Sequence, residues 1–241
     1  MRRTRARVRY TPDVVPPCGP VRGWFITIEG PEGAGKTTQT AALARHLTDA
    51  GLDVDVTREP GGTSLGERLR ELLLERTGST GPTDSLTDAF LFNAARRQLV
   101  TEVVRPGLAA GRTVLCARFA DSTLAYQGFG AGVPMEQLLL LEGIATDGLR
   151  PDLTILLDVP VEAGLARKEK DDLTRFETDF DLAFHRRVRD GFLALAAADP
   201  GRFVVIDASH PATEVAALVA STSDRLVASG EPRAAPARIH G

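Results

Sequence analysis

The sequence predicts an α/β fold with a five-stranded parallel sheet flanked by helices. Three observations carry that expectation. Short apolar runs at residues 24–28, 54–56, 114–117, 153–157 and 203–206 alternate with stretches of helical period. Gly30-Pro31-Glu32-Gly33-Ala34-Gly35-Lys36-Thr37 follows the first run at once and fits G-x-x-x-x-G-K-[ST] at every fixed position. Arg58-Glu59, Arg118 and Asp158 close the next three runs, where a parallel sheet with right-handed crossovers places its function.

Trp24, Phe25, Ile26 and Ile28 read as a buried parallel strand. The glycine-rich turn after it lets several backbone N–H groups converge on a polyphosphate. Lys36 adds a mobile cation, Thr37 a hydroxyl for Mg²⁺, and Thr38 the second residue of the helix behind them. The chain holds only Lys36, Lys168 and Lys170 as lysines and otherwise uses arginine, so lysine at 36 answers a need for a point charge. These residues imply a bound nucleoside triphosphate.

Thr37–Asp49 reads as a helix, with Ala41, Leu43, Ala44 and Leu47 apolar and a stop at Gly51. Val54 and Val56 mark a second strand. Ser64–Glu75 is an amphipathic helix with Leu65, Leu69, Leu72 and Leu73 on one face, and residues 78–82 a loop. Leu86–Val104 is a long helix that Pro106 ends. Val114–Ala117 is a third strand, and Met135–Ala145 a helix with Leu138, Leu141 and Leu149 toward the core. Leu153–Leu157 is a fourth strand, Pro160–Arg167 a short helix, and Phe180–Ala198 a longer one. Phe203–Ile206 is a fifth strand before a helix from Ala212 to about Leu226.

The ends read differently. Residues 1–22 carry Arg2, Arg3, Arg5, Arg7 and Arg9, then Pro12, Pro16, Pro17 and Pro20, with no apolar period. They are expected to be a disordered extension, without the apolar core of a secretory signal. Residues 23–229 form the domain and 230–241 a loose tail. A net charge of −3 gives no general attraction to nucleic acid or an anionic membrane, and no apolar run is long enough to span a bilayer. Cys18 and Cys116 cannot build a disulfide framework, which points to a reducing, cytoplasmic setting.

A phosphate loop leaves kinase, ATPase, GTPase and regulatory switch open. TREPGGT (Thr57–Thr63), FLFNAARRQ (Phe90–Gln98) and RFADSTLAYQG (Arg118–Gly128) follow it in the order and spacing that resemble the thymidylate kinases, from about Phe25 to Leu226. The resemblance implies the P-loop nucleoside monophosphate kinase fold with a short lid. It implies transfer of the γ-phosphoryl of ATP to dTMP, with Mg²⁺, and a homodimer.

Residue by residue, the resemblance assigns Gly30, Pro31, Glu32, Gly33, Ala34, Gly35, Lys36, Thr37 and Thr38 to ATP. Arg58 would hold the dTMP phosphate, where a planar fork suits phosphate oxygens. Phe92 would stack on thymine, and Arg96 would bond its carbonyl edge. Ser122, Thr123, Tyr126 and Gln127 would form a loop closing on thymine and deoxyribose, with Tyr126 crowding a 2′-hydroxyl. Glu32 resembles an acid near the dTMP sugar and Mg²⁺ in bacterial relatives that carry their catalytic cation in a basic lid. That lid is residues 167–177, where Arg167 and Arg175 would reach over the nucleotide and the transferring phosphoryl, and Lys168 and Lys170 stay open. Lys36, Arg118, Arg175 and Glu32 are thus the expected catalytic set.

One position departs from the family. Ala117 stands where the pattern has the aspartate of Asp-Arg, a group that orders Mg²⁺ waters and the adjoining arginine. Either Glu32 or Asp158 covers the loss, or the chain binds both nucleotides and turns over slowly. The competing readings are a nucleotide-binding homologue with little transfer and a kinase for another pyrimidine monophosphate such as dUMP.

Overall fold

The structure, a computed structural model, describes residues 22–74, 83–168 and 174–230. Its centre is β1 (Phe25–Glu29), buried along its whole length. Period two divides its side chains between two layers. Ile26 and Ile28 join Leu43, Leu47, Leu115, Ile155, Leu157, Val215 and Val219 in one core layer. Phe25 joins Leu99, Val104, Leu108, Val114, Cys116 and Phe119 in the other. A sheet covered on both faces explains the unbroken apolar character of these strands.

β1 pairs in parallel with β3 (Thr113–Ala117) and with β4 (Leu153–Asp158); β2 (Val54–Arg58) and β5 (Phe203–Asp207) lie outside them. The order β2-β3-β1-β4-β5 is that of a five-stranded parallel sheet, as the alternating pattern predicts. The chain reverses its direction of travel across the sheet beside β1, and the cleft at the carboxyl ends there is the natural ligand site. The helices are α1 (Lys36–Asp49), α2 (Ser64–Leu74), α3 (Ser85–Leu99), α4 (Arg105–Ala109), α5 (Ala120–Thr123), α6 (Met135–Thr146), α7 (Val161–Ala166), α8 (Arg175–Thr178), α9 (Leu182–Ala198) and α10 (Ala212–Ala228). Asp84 caps α3 by accepting from the Leu86 and Thr87 N–H groups, and Asp181 caps α9 by accepting from that of Phe184.

Several details differ from the sequence expectation. Pro106 does not end the long helix: α3 passes through a π-helical stretch, Val100–Val104, into α4. Arg105 N–H bonds Val100 C=O, a widened turn that brings the chain to Pro106 in a register where its missing N–H is tolerated. On α2 only Leu73 among the four leucines is fully buried, whereas Leu65 and Leu72, seven residues apart on one stripe, are both 45% exposed. The segment after Arg118, expected as a loop, is helical: α5 continues as a π-helix over Leu124–Gly130. Arg22 belongs to the fold, because its guanidinium forks onto the buried Asp152 at 2.6 and 2.9 Å. The rest of the expected extension, the loop at 78–82, Lys170 in the lid and residues 231–241 lie outside the described residues.

Candidate active site

The phosphate loop runs from β1 into α1. Gly33 has φ 68°, and a Cβ there would sit 1.8 Å from the Gly164 carbonyl oxygen of α7, so only glycine permits this approach. Gly35, also left-handed at φ 87°, turns the chain into α1. Lys36 folds back over the loop and donates from Nζ to the Gly30 and Pro31 carbonyls at 3.1 and 2.7 Å. Burial and the neighbouring Arg118 push its ammonium down to about 7, against the opposing pull of Glu32 and Glu29.

A cavity of about 1030 Å³ opens over this loop, lined by residues 32–39, Arg167, Lys168 and residues 208–212. A narrower aromatic slot adjoins it, walled by Phe92, Phe119, Tyr126 and Phe176, with Arg96, Ser122, Thr123 and Gln127 around it. Glu32, Arg70, Arg118, Lys168 and Thr174 line both cavities. Three cations and one carboxylate therefore stand where the two spaces meet.

Arg118 is the hub of that junction. Its backbone has φ 68°, unusual for a side chain of this size. Nη1 donates to the Gly30 carbonyl (3.2 Å) and Ser122 Oγ (3.1 Å), and Nη2 to Glu32 Oε1 (2.7 Å) and Tyr126 Oη (3.1 Å). The Tyr126 hydroxyl donates to the same Glu32 oxygen at 2.8 Å. Burial by itself would raise the Glu32 carboxyl, but Arg118, Lys36 and the Tyr126 hydroxyl outweigh it and hold it well below the usual carboxylate range. The acid inside the phosphate loop is thus the anchor of an arginine and a tyrosine.

Arg96 is 1% exposed and fixed on every side. It pairs with Glu59 (2.7 Å) and donates to Asn93 Oδ1, the Phe119 carbonyl and Thr123 Oγ1. Burial pushes Glu59 up to about 7 despite Arg96. Phe92 is half-buried and tilts toward Phe176, ring centroids 6.1 Å apart, while Tyr126 meets Phe176 edge-on at 5.7 Å. Ser122, Thr123, Tyr126 and Gln127 reach the slot from helical backbone.

Three expected residues stand elsewhere than anticipated, and a fourth, Arg167, stands at the edge of the cavity expected to take ATP. Arg58 has a side chain 54% exposed, pairs with Glu67 at 3.0 Å and lines neither cavity; Arg70, on the polar side of α2, lines both and donates to the Pro60 carbonyl. Arg175 turns away from the phosphate loop: its Nε donates to the Leu73 carbonyl at 2.6 Å and its Nη2 pairs with buried Asp88 at 2.8 Å. It lines neither cavity and instead ties α8 to α2 and α3. Asp158, considered as a metal partner, has both oxygens taken by the fork of Arg189 at 2.7 and 2.8 Å. Arg167 borders the larger cavity but donates to the Ala208 carbonyl at 2.9 Å, at its edge.

The sequence reading missed Arg70, Thr174 and Phe176, which carry no motif, and gave Glu29, the acid just before the phosphate loop, no role. Glu29 is fully buried and accepts from Phe119 N–H and the Ser122 hydroxyl, each at 2.6 Å. Burial and then Asp121 push its carboxyl up to about 7, with Arg118 opposing.

For a divalent cation the fit lies in the donor chemistry. Thr37 brings a hydroxyl to the loop cavity, and no group of three or more His, Cys, Asp or Glu among the described residues could cage a metal. One hydroxyl beside a phosphate cradle suits Mg²⁺, which keeps its waters and takes phosphate oxygens in place of a protein cage. No helix among the described residues is long and apolar enough to cross a membrane.

A sequence model of the thymidylate kinase family matches residues 28–219. The chain is similar to the thymidylate kinase of Deinococcus radiodurans, 50% identical over 205 residues that cover 85% of this chain and 98% of that one. It is likewise similar to that of Thermomicrobium roseum, 52% identical over 209 residues, covering 86% and 97%. In three dimensions it is similar to the crystal structure of thymidylate kinase from Ehrlichia chaffeensis, with a TM-score of 0.68 and 35% identity over 84% of this chain and 99% of that one. With that model spanning most of the chain and relatives half identical along nearly their whole length, the chain belongs to the thymidylate kinase family.

Proposed function

We propose that the chain transfers the γ-phosphoryl group of ATP to dTMP, giving ADP and dTDP. The observation that carries this reading is the rim of Glu32, Arg70, Arg118, Lys168 and Thr174 shared by the two cavities. ATP occupies the phosphate-loop cavity, with Lys36 on its phosphates and Arg167 at its outer edge. Thymine enters the aromatic slot against Phe92, beside Arg96, Thr123 and Gln127, and Tyr126 closes against the sugar. The dTMP phosphate then faces Arg70 and Arg118. Its anionic oxygen forms a bond to the γ-phosphorus as the bond to the bridging oxygen of ADP breaks. An oxygen already ionised needs no strong base, so the chain's work is positioning and neutralising charge.

Thr37 would hold Mg²⁺, with Glu32 reached through water. When bound, the ion neutralises charge on the phosphate oxygens. Arg118 supplies fixed positive charge at the same place, Lys36 adds its ammonium where phosphate oxygens favour the protonated form, and Glu32 keeps Arg118 and Tyr126 in register with it. Arg175 acts on the fold, holding Phe176 against the slot.

A homodimer is supported by apolar side chains left exposed on α2, α3 and α6, among them Leu72, Phe90, Leu140 and Ile144. A cytoplasmic location is supported by the buried, unbridged Cys116. The test of the activity is ADP release with each nucleoside monophosphate in turn. Turnover with dTMP well above dUMP and the purines is expected. Equal turnover with dUMP would make the chain a broader pyrimidine kinase, and binding without turnover a nucleotide-binding homologue.

A further inference from the structure

Glu29 is the last residue of β1 and has no place in the reaction derived above, yet both its oxygens reach the segment that carries Arg118. Oε1 accepts from Phe119 N–H and Oε2 from the Ser122 hydroxyl, each at 2.6 Å, and Ser122 Oγ lies 3.1 Å from Arg118 Nη1. A hydroxyl has one hydrogen and two lone pairs, a carboxylate only accepts, and a guanidinium only donates. With its hydrogen directed to Glu29, Ser122 turns its lone pairs to Arg118. The backbone adds a second constraint. Arg118 is left-handed, and its N–H bonds the Ile28 carbonyl while the next N–H bonds Glu29, so both peptides around it are held by the end of β1.

We propose that Glu29 is a positioning residue that aims Arg118 through the Phe119 N–H and the Ser122 hydroxyl. It serves the purpose that a carboxylate at residue 117 would otherwise serve, which leaves Ala117 compatible with phosphoryl transfer. The proposal rests on the kinase reading of Arg118. It predicts that the ionised form of Glu29, present above about pH 7 where the variants are to be compared, matters through hydrogen-bond direction. A glutamine there fills the same space, but its amide donates to Ser122 and turns the hydroxyl hydrogen toward a guanidinium that can only donate.

The test is a cycle of wild type, Glu29→Gln, Ser122→Ala and the double variant, assayed for kcat, both KM values and melting temperature. Glu29→Gln is expected to lower kcat by about tenfold or more, the scale of a misplaced catalytic group, with KM for ATP within about threefold. The melting temperature should hold, and the double variant should lose no more than Ser122→Ala. Wild-type kcat in Glu29→Gln, or losses that multiply in the double variant, overturn the proposal. A second readout needs no turnover. The Arg118 guanidinium N–H resonances, identified by their loss in Arg118→Lys, should move in Glu29→Gln and Ser122→Ala alike, and unmoved resonances overturn it. Wild type without dTMP turnover contradicts the kinase reading, while the resonances still decide the positioning.

Discussion

Arg118 and Glu32 meet at 2.7 Å on the rim shared by the phosphate-loop cavity and the aromatic slot. Their pairing resolves the oddity of an acid inside a phosphate loop. Glu32 belongs to Arg118 and Tyr126, so a phosphate at the rim meets a carboxylate already paired with its arginine.

Arg118→Lys follows from that geometry. A lysine keeps the charge but is a point donor and cannot replace a planar fork shared among Gly30, Ser122, Glu32 and Tyr126. Steady-state kinetics should show kcat lower by about a hundredfold, the usual loss from an ångström of misplacement. An unchanged kcat would mean that charge without direction suffices.

Arg175→Ala should behave as a fold variant. Its partner Asp88 has a side chain 3% exposed and would be left without that guanidinium. Removing one member of a buried pair costs about 3–5 kcal/mol, so the melting temperature should fall by several degrees. KM for dTMP should rise through the loosened Phe176, while kcat falls less than in Lys36→Ala. A stable Arg175→Ala with its kcat abolished would restore the residue to the transferring phosphoryl.

Ala117→Asp tests the departure from the family pattern. Alanine at 117 predicts a slow enzyme if Arg118 depends on it. Among the described residues four hydrogen bonds already fix that guanidinium, and Glu29 braces the segment behind it. Where little misplacement exists there is little to recover, so Ala117→Asp should raise kcat by less than about threefold. A tenfold gain would show that Arg118 is misaimed as the chain stands.

Glu59 gives the chain a pH signature. Folded, it holds its proton up to about 7; unfolded, it releases it near its ordinary value of 4.5. Between those values the folded state binds more protons, so the group's stabilising contribution is full below 4.5 and is lost as pH rises through 7. Glu59→Gln removes that dependence. Melting temperatures from pH 4.5 to 7.5 should fall less steeply in the variant than in wild type, and parallel curves would contradict the burial argument.

Much of this was legible in the sequence because it is local. Strand periodicity placed all five strands within a residue or two, and the phosphate loop announces itself by glycines at fixed spacing. What escaped depends on tertiary contact. Arg70 sits in a helix whose polar face reads like any solvated face, and only its packing beside Pro60 brings it to the rim. Arg175 and Arg58 look equally free to meet a phosphate. Asp88 and Glu67, far and near in the chain, take them. Pro106 reads as a helix end because the π-turn that accommodates it leaves no mark in a 3.6-residue period.

The most direct test of phosphoryl transfer to dTMP follows the γ-phosphoryl group itself. ATP labelled at the γ-phosphate is incubated with the full chain, Mg²⁺ and dTMP, and the products are separated. Label is expected in dTDP in amounts equal to the ADP formed, with none transferred by Lys36→Ala above a tenth of that rate, the scale of losing a phosphate contact. Label appearing as inorganic phosphate, or no dTDP while both nucleotides bind, would contradict it.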